Sequence, residues 1–486
     1  DWSVNVNLGV SLSDSRYEMI GYEGGLKLIN FFAVHNIDFN KAWKAKQSGW
    51  HDQTRAIFAN AEIGWKSMIY LTATGRNDWD SRLAFSDYKS FFYPSIGLSA
   101  ILTSMFNAPD WLTYLKVRGS YTEVGNSYGR FMTTVTYPYD EQTQSWTSTS
   151  SYPNTKLKPE RTKSWEVGLD ARILNDISLN LTYYRSNTYN QTFYADLSLS
   201  SGYSNIPIQS GNIMNEGLEM SLGYNKQWKD FSFNTNYTLT WNKNRVKRLA
   251  DGVYNYATGQ PIQMPELSPL TYGHTDARLI LRVGGSMGDV YGQRLLKRDL
   301  NGYILNEEGV GLAMENKETY LGSILPKMNM GWSLGFGYKG VNLGMTFTGR
   351  FGGIVISETQ SVLDAAGVSK VSADVRDAGG VQINQSKVSA QTYYQTIQGT
   401  AAYYTYSATN VRLGELSLSY TLPKKWFDNK VGMTVGLVGK NLWMIYCKAP
   451  FDPELTTSAA SNFYQGFDAY MLPSTRNFGF NVKFQF

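Results

Sequence analysis

Apolar and polar residues alternate strictly along many segments of about ten residues, and the first segment shows the pattern clearly. Its apolar positions are Val4, Val6, Leu8, Val10 and Leu12, and its polar or small positions are Ser3, Asn5, Asn7, Gly9 and Ser11. Successive side chains of a strand point to opposite faces, so this segment predicts a strand with one apolar and one polar face. Such segments are typical of strands that cross a membrane in a β-barrel, with lipid on one side and water on the other.

The same criterion predicts sixteen strands along the chain. They are placed near 4–13, 54–64, 67–75, 91–103, 112–122, 163–173, 176–187, 214–225, 231–242, 283–294, 303–308, 328–339, 341–351, 409–421, 431–445 and 475–486. Soluble sandwiches and propellers also have alternating strands, but a sandwich seldom has six or more strands this long, and no propeller-like repeat of about 40 residues is visible. The predicted fold class is therefore all-β, a transmembrane antiparallel β-barrel.

The connections between these strands alternate in length. Short turns are predicted at Lys66, 174–176, 225–230, 339–340 and 424–429, and long loops at about 14–53, 123–162, 188–213, 243–282, 352–408 and 446–474. Outer-membrane barrels have short turns in the periplasm and long loops outside. If the last strand runs toward the periplasm, every short turn falls on that side, which predicts the orientation of the chain.

Composition agrees with a barrel and excludes two other classes of protein. Only 17% of residues are charged, and 34 Tyr and 13 Trp are present, which suits a surface that partly faces lipid. No run of about 20 apolar residues occurs, so a bundle of membrane-spanning helices is excluded. The 45 basic and 40 acidic residues are spread along the chain without a basic cluster, so no nucleic acid is expected as a partner.

The residues that usually carry catalysis or bind metals do not form a recognisable motif. His35, His51 and His274 are far apart in sequence, and the only cysteine is Cys447. No phosphate-binding loop, nucleophile elbow or paired-cysteine motif occurs. The carboxylates of Asp452 and Glu454 flank Pro453 in what is expected to be an exposed loop, and this spacing favours turn chemistry over a catalytic pair. The sequence therefore predicts no catalytic, cofactor-binding or metal-binding residue, and no enzyme.

Particular residues, and not only their pattern, resemble a known family. The matching stretches are Leu71-Thr-Ala-Thr-Gly-Arg-Asn-Asp78, Phe92-Tyr-Pro-Ser-Ile-Gly-Leu98, Leu115-Lys-Val-Arg-Gly-Ser-Tyr121 with Val124-Gly-Asn126, Leu157-Lys-Pro-Glu160 with Trp165-Glu-Val-Gly-Leu169, Asn215-Glu-Gly-Leu-Glu219, Asn236-Tyr-Thr-Leu-Thr-Trp-Asn-Lys-Asn244, Gly439-Lys-Asn-Leu442 and Phe451-Asp-Pro-Glu454. In this order they resemble the C-terminal part of the SusC/RagA family of TonB-dependent transporters of Bacteroidetes.

The resemblance implies a barrel of 22 strands with an N-terminal plug in its lumen. About sixteen strands are predicted here, so residues 1–486 are expected to form the C-terminal part of a single barrel. About six strands, the plug, the segment that contacts TonB and a signal peptide are expected upstream of Asp1. The resemblance also implies active import of an oligosaccharide, or in some members an oligopeptide, driven by TonB and assisted by a SusD-like surface lipoprotein that acts as a lid. The expected location is the bacterial outer membrane.

Two other functions remain open from the residues alone. A passive porin is one, because sixteen strands also match an aqueous porin. An adhesin-type barrel that binds partners through its loops and transports nothing is the other. A plug sequence of about 200 residues upstream would separate the transporter from both, in line with the plugged design of large transporter barrels.

Two groups of residues are candidate functional positions. The apolar face of the last strand consists of Phe478, Phe480, Val482, Phe484 and Phe486, and it resembles the C-terminal signal that the barrel-assembly machinery reads. Alternatively, these side chains simply face lipid. In the loop at about 352–408, Tyr403, Tyr404 and Tyr406 are candidate substrate contacts, because aromatic rings stack on sugars and phenols form hydrogen bonds. The alternative for these tyrosines is the aromatic girdle at the membrane interface.

Overall fold

The structure is a computed structural model that describes residues 1–140, 143, 145–250, 266–307, 311–383, 386–428, 430–458 and 462–486. Residue 308 of the predicted strand 303–308 lies outside the described residues. So do parts of the predicted connections at 123–162, 243–282, 352–408, 424–429 and 446–474.

Strands form most of the described chain. The first are β1 (Trp2–Gly24), β2 (Trp43–Trp65), β3 (Ile69–Asp80), β4 (Phe91–Ile101), β5 (Leu112–Asn126), β6 (Tyr139–Asp140), β7 (Ser145–Trp146), β8 (Glu160–Ile173), β9 (Ile177–Tyr189) and β10 (Thr192–Asp196). Next come β11 (Asn205–Trp228), β12 (Phe231–Ala250), β13 (Glu266–Thr271), β14 (Arg278–Arg282), β15 (Asp289–Leu296), β16 (Asn306–Glu307), β17 (Gly311–Leu312) and β18 (Met314–Ser323). The last are β19 (Met328–Tyr338), β20 (Val341–Phe351), β21 (Ile354–Ser357), β22 (Val381–Ile383), β23 (Ser386–Val388), β24 (Thr405–Ser407), β25 (Asn410–Leu422), β26 (Gly432–Cys447), β27 (Phe467–Asp468) and β28 (Asn477–Gln485).

The helices are short. They are α1 (Leu102–Met105), α2 (Glu358–Ala365), α3 (Lys370–Asp377) and α4 (Ala390–Ile397), with single 3-10 turns at Val34–Asn36, Ser81–Leu83, Leu199–Ser201, Ala401–Tyr403, Lys424–Phe427 and Asn462–Tyr464. Among the described residues, no helix combines the length and apolar character that crossing a bilayer requires.

One large antiparallel sheet dominates the structure and confirms the predicted fold class. Its strand order is β1-β2-β3-β4-β5-β8-β9-β11-β12-β19-β20-β25-β26-β28, and β10 pairs with β11 at one end. These fourteen strands correspond to fourteen of the sixteen predicted segments. Every strand pairs with its neighbour along the path, as expected for an up-and-down membrane barrel.

The two remaining predicted segments, 283–294 and 303–308, do not enter the large sheet. The first overlaps β15, which belongs to a separate four-stranded sheet with the order β13-β14-β15-β18, and the second overlaps β16, which pairs only with β17. β15 has only eight residues, and Val290 and Leu296 are buried in protein. The alternation was read correctly, but its apolar side contacts other loops instead of lipid. Two consecutive strands are removed from the predicted count, so every remaining strand keeps its direction. The predicted orientation is therefore unchanged.

Tight turns join the strands at one end of the sheet, as predicted. Lys66 and Ser67 both have positive φ, as do Leu174 and Asn175. Lys339 has φ 46° and Gly340 φ 88°, which confirms the predicted hairpin. Two successive residues with positive φ form the turn whose twist matches that of paired strands. At the opposite end, longer segments connect the strands and fold into a layer of their own.

The apolar face of the large sheet is exposed and bordered by aromatic residues. Leu8 and Val10 are each 80% exposed, which in water would be unfavourable but suits contact with lipid. Near the tight turns, Trp228 stacks on Phe231 at 5.7 Å. Trp241 follows Phe231 by ten residues on the same face, about 33 Å along a strand at about 3.3 Å per residue. A strand tilt of about 40° converts this length to about 25 Å, the height of the apolar band of an outer-membrane barrel.

Candidate functional site

The polar face of the large sheet carries hydrogen bonds that reach across whole strands. Arg118 on β5 donates to the Thr182 hydroxyl on β9 at 2.6 Å, passing over Gly168 on the intervening strand β8. A Cβ at Gly168 would lie 2.6 Å from Arg118 Nε, so glycine leaves the space for this side chain. Arg118 also lies 3.8 Å from the Asp170 carboxylate. The polar face is therefore an organised surface of charges and hydroxyls.

A second hydrogen bond that passes over an intervening strand lies next to the first. The Tyr184 hydroxyl on β9 donates to Asn242 Oδ1 on β12 at 3.0 Å, passing over Gly217 on β11. A Cβ at Gly217 would lie 2.6 Å from the Tyr184 ring and 2.5 Å from the Trp241 carbonyl oxygen. At Gly217, unlike at Gly168, a backbone atom occupies the space that a Cβ would need.

This difference between the two glycines gives a prediction. Gly217→Ala is expected to destabilise the barrel by about 1–3 kcal/mol, because a backbone oxygen cannot move away as a side chain can. Gly168→Ala is the matched control and should cost less, since only the flexible Arg118 end must move. Urea unfolding of the full-length protein in detergent measures both. Equal destabilisation by the two variants would contradict the proposed role of the Trp241 carbonyl.

The loops at the other end of the sheet pack into a layer with its own hydrophobic cores. One core contains Phe193, Ala195, Ile208, Ile213, Val246, Leu249, Leu267 and Leu281. A second contains Tyr272, Ala277, Leu279, Val290, Ile324, Ile356, Ala401 and Phe467. A third contains Leu296, Leu312, Ile383, Ala390, Tyr394, Ile397 and Tyr404. The long connections are thus held together by apolar packing, and we call these packed connections the loop layer.

Tyr403, Tyr404 and Tyr406 all lie in this loop layer, outside the large sheet. The Tyr403 hydroxyl accepts a hydrogen bond from the Leu296 amide at 3.0 Å. Tyr404 is 3% exposed, and its burial raises the pKa of its phenol. Tyr406 packs edge-on against Phe451 at 5.7 Å. The girdle interpretation therefore does not describe these residues. Their contact with substrate stays a prediction, and the Tyr404 ring would have to be uncovered first.

A buried ion pair anchors the loop that follows β26 to the wall of the sheet. Arg412 on β25 donates two parallel hydrogen bonds to Asp452, at 2.8 and 2.9 Å, and also donates to Asn410 Oδ1. The Glu454 carboxylate lies 3.4 Å from the Arg412 guanidinium and accepts a hydrogen bond from the side-chain amide of Asn410. Burial raises the pKa of Asp452, but the hydrogen bonds and charge of Arg412, together with the hydrogen bond from the Glu454 backbone amide, bring the net pKa below its ordinary value.

The same residues test the turn predicted at Asp452 and Glu454. The Glu454 amide donates to Asp452 Oδ1 at 3.0 Å, which confirms turn chemistry around Pro453. However, the Asp452 side chain is only 8% exposed, so the prediction of an exposed loop is wrong at this residue. The Phe451-Asp-Pro-Glu454 stretch ties a loop to a strand as well as forming a turn.

Asp276, whose side chain is 7% exposed, joins two other parts of the loop layer. One carboxylate oxygen accepts from the Ala401 amide at 2.7 Å, and the other accepts from the amides of Gln293 and Arg294 at 3.1 and 2.8 Å. Three backbone donors from two separate segments therefore depend on one buried side chain. Within the described ranges, no group of three or more His, Cys, Asp or Glu side chains is arranged to hold a metal ion.

The last strand, β28, forms the edge of the large sheet next to β26. Phe478 lies opposite Gly439, Phe480 opposite Leu437 and Phe484 opposite Met433. Phe478, Phe480, Val482, Phe484 and Phe486 are all exposed, as lipid-facing residues of a barrel strand would be. Their recognition by the assembly machinery stays a prediction.

The architecture is that of a known protein family. The family model described as TonB dependent receptor-like, beta-barrel matches residues 8–442. The chain belongs to this family. It is therefore an outer-membrane protein that crosses the membrane with its strands, and the resemblance to SusC and RagA is confirmed.

Relatives of known sequence extend well beyond this chain. TonB-dependent receptor P3 of Formosa agariphila is 24% identical over 96% of the chain and 50% of its own length. TonB-dependent receptor SusC of Bacteroides thetaiotaomicron is 25% identical over 49% of the chain and 22% of its own length. The chain thus spans at most about half the length of these relatives.

Solved structures share the fold. The RagAB peptide importer in its open-open state matches 99% of the chain and 52% of its own chain, with 19% identity and a TM-score of 0.74. The closed-closed state gives 18% identity over 99% of the chain and 53% of its own chain, with a TM-score of 0.75.

Proposed function

We propose that residues 1–486 are the C-terminal part of a single β-barrel whose full protein imports a large nutrient across the outer membrane. The nutrient is an oligosaccharide, with an oligopeptide as the second candidate. Import is driven by TonB through an N-terminal part that lies outside this chain. A SusD-like surface lipoprotein covers the loop end of the barrel as a lid.

The observation that carries this proposal is the packed loop layer, built from the long connections between the strands. A passive porin needs an open path, whereas here three hydrophobic cores pack the loops together at one end of the sheet. A packed layer favours capture of a ligand and regulated passage. The family match also supports regulated passage over a passive porin, because TonB-dependent receptors are named for their energy source.

Uptake measured with and without TonB tests the proposal. Cells that express the full transporter are expected to accumulate a fluorescent oligosaccharide. Deletion of TonB, or addition of a protonophore, should abolish this accumulation. Uptake that persists without TonB would support the passive porin instead. Surface binding without any uptake would support the adhesin-type barrel. Co-purification of a surface lipoprotein tests the proposed lid. A purified active complex without any lipoprotein would contradict the lid.

The closing strand gives a prediction about assembly. Phe486→Ser is expected to lower the amount of folded transporter in the outer membrane severalfold, because it removes the last ring of the apolar series that would act as the assembly signal, directly after β28. Gln485→Ser, on the other face of the same strand, is the matched control and should leave the amount unchanged. Heat-modifiable mobility of outer-membrane fractions measures both variants. Equal amounts of folded protein in both would contradict a signal at Phe486.

A further inference from the structure

Three short helices of the loop layer pack around a common centre. α2, α3 and α4 each begin after a serine, and in each case the serine hydroxyl accepts the amide hydrogen of the third following residue. This cap fixes the start of a helix that is too short to be stable alone. The position of each helix is therefore set by its cap and by its neighbours.

A cavity of about 450 Å³ lies between the three helices. Its polar lining residues are Asp364, Ser372, Arg376, Ser389, Gln391, Tyr394 and Gln395. Gln391, Tyr394 and Gln395 follow the spacing i, i+3, i+4 and so share one face of α4. The rest of the wall consists of three alanines and a glycine, whose small side chains leave the space open. The volume is within the range of sites for small ligands.

Within the described part of the chain, the charged groups of this wall use only part of their hydrogen-bonding capacity. Asp364 is 5% exposed, and its Oδ1 accepts from Gln360 and Ser369, whereas no hydrogen bond reaches its Oδ2. Arg376 is exposed, and among the described residues it donates one long bond, to the Gly367 carbonyl at 3.4 Å. Asp364 is thus a nearly buried carboxylate with one oxygen left free to accept from a ligand in the cavity, and the exposed side chains of Gln391 and Gln395 line the same cavity.

The mixture of groups indicates the chemistry of that ligand. Asp364 accepts hydrogen bonds, Arg376 donates them, and the amides of Gln391 and Gln395 do both. A sugar hydroxyl is both donor and acceptor, so neighbouring hydroxyls of one sugar unit satisfy both kinds of group. The opposite charges of Asp364 and Arg376 favour a ligand without net charge. One common way to bind a peptide is to pair it with an exposed strand edge, and no strand lines this cavity.

We propose that the cavity between α2, α3 and α4 binds a neutral sugar unit of an oligosaccharide. Asp364, Arg376, Gln391 and Gln395 hold its hydroxyls, and the Tyr394 hydroxyl adds a further hydrogen bond. The role of this site in uptake rests on the proposed function. Its ability to bind sugar does not, since binding is measurable without transport.

The test uses the full transporter purified in detergent. The protein is applied to an array of neutral α-glucans, β-glucans, xylans, mannans and galactans, with a library of short peptides as comparator. The best glycan is then titrated by calorimetry. Gln391→Ala and Tyr394→Phe are each expected to weaken binding about fivefold, the effect of losing one hydrogen bond. Gln398→Ala, an exposed glutamine just after α4 that does not line the cavity, should bind as wild type.

The outcomes separate the cavity from the transport proposal. Tyr394→Phe keeps the ring and so keeps the packing, which makes a folding defect a poor explanation for weaker binding. Binding of peptides but no glycan, or glycan binding that is equal in Gln391→Ala, Tyr394→Phe and Gln398→Ala, would overturn the inference. If these variants weaken glycan binding while uptake proves independent of TonB, the sugar site stands and the proposed active transport fails.

Discussion

Replacing Arg412 with alanine is expected to lower the free energy of opening the loop after β26 by about 3–5 kcal/mol, because it leaves a buried carboxylate without its cation. The side chains of Arg412 and Asp452 are 10% and 8% exposed, so water screens the pair little. Arg412→Ala also removes two hydrogen bonds from Asn410, which is itself buried. The effect should therefore be among the largest of any single substitution in the chain.

Hydrogen exchange on the full transporter measures this prediction. Amides of residues 448–458 should exchange much faster in Arg412→Ala, whereas those of β1 should not change. Arg412→Lys keeps the charge but loses the parallel pair of bonds, so an intermediate effect is expected. Lys370→Ala, which removes an exposed pair with Asp374, is the control and should have no measurable effect. Unchanged exchange at 448–458 in Arg412→Ala would show that the loop has another anchor.

The same pair predicts a dependence on pH. The pKa of Asp452 is lowered in the folded protein, so the carboxylate stabilises the fold at pH values above the ordinary pKa of aspartate. This contribution is lost as pH falls through the lowered pKa. The difference in exchange between wild type and Arg412→Ala should therefore be constant near neutral pH and shrink in acid. A difference that stays constant into strong acid would exclude Asp452 as the partner that matters.

Much of the large sheet was predictable because its two faces meet different solvents. A strand between lipid and water must alternate, and the segment at 328–339 shows this in its sequence and forms β19 in the structure. The segment at 283–294 alternates for a different reason, since its apolar side faces the core around Tyr272. Period-two alternation reports one buried or lipid-facing side, and it does not distinguish between protein and lipid as the apolar neighbour.

The candidate site was much less predictable, because its contacts join residues that are far apart in sequence. Arg412 and Asp452 are 40 residues apart, and Asp276 reaches a residue 125 positions away. No periodicity links such pairs. The Phe451-Asp-Pro-Glu454 stretch was noticed as a motif, but its partner on β25 carries no local signal. The helices around the sugar site were also missed, although Ser357, Ser369 and Ser389 are N-cap residues of a type that marks helix starts.

Asp276→Ala is expected to loosen the centre of the loop layer by about 4.5 kcal/mol or more, since each hydrogen bond to a charged group contributes about 1.5–3 kcal/mol and three are lost together. The buried amides of Ala401, Gln293 and Arg294 would have no acceptor in place of the carboxylate. Asp299→Ala is the matched control. Asp299 also accepts from two backbone amides, but at an exposed hairpin tip where water can replace it, so little change is expected.

The structural consequence of Asp276→Ala should reach the proposed sugar site. The Asp276 amide donates to the Gly399 carbonyl, and the Gly399 amide donates to the Ser361 hydroxyl on α2, so this chain of bonds leads from Asp276 to the helices around the cavity. Faster hydrogen exchange is therefore expected in both β15 and α4, together with weaker glycan binding. Faster exchange in β15 alone would mean that α4 is held by its serine cap and apolar contacts without help from Asp276. Because Asp276 does not line the cavity, weaker binding in this variant would show that the loop layer must be held rigid for the site to keep its shape.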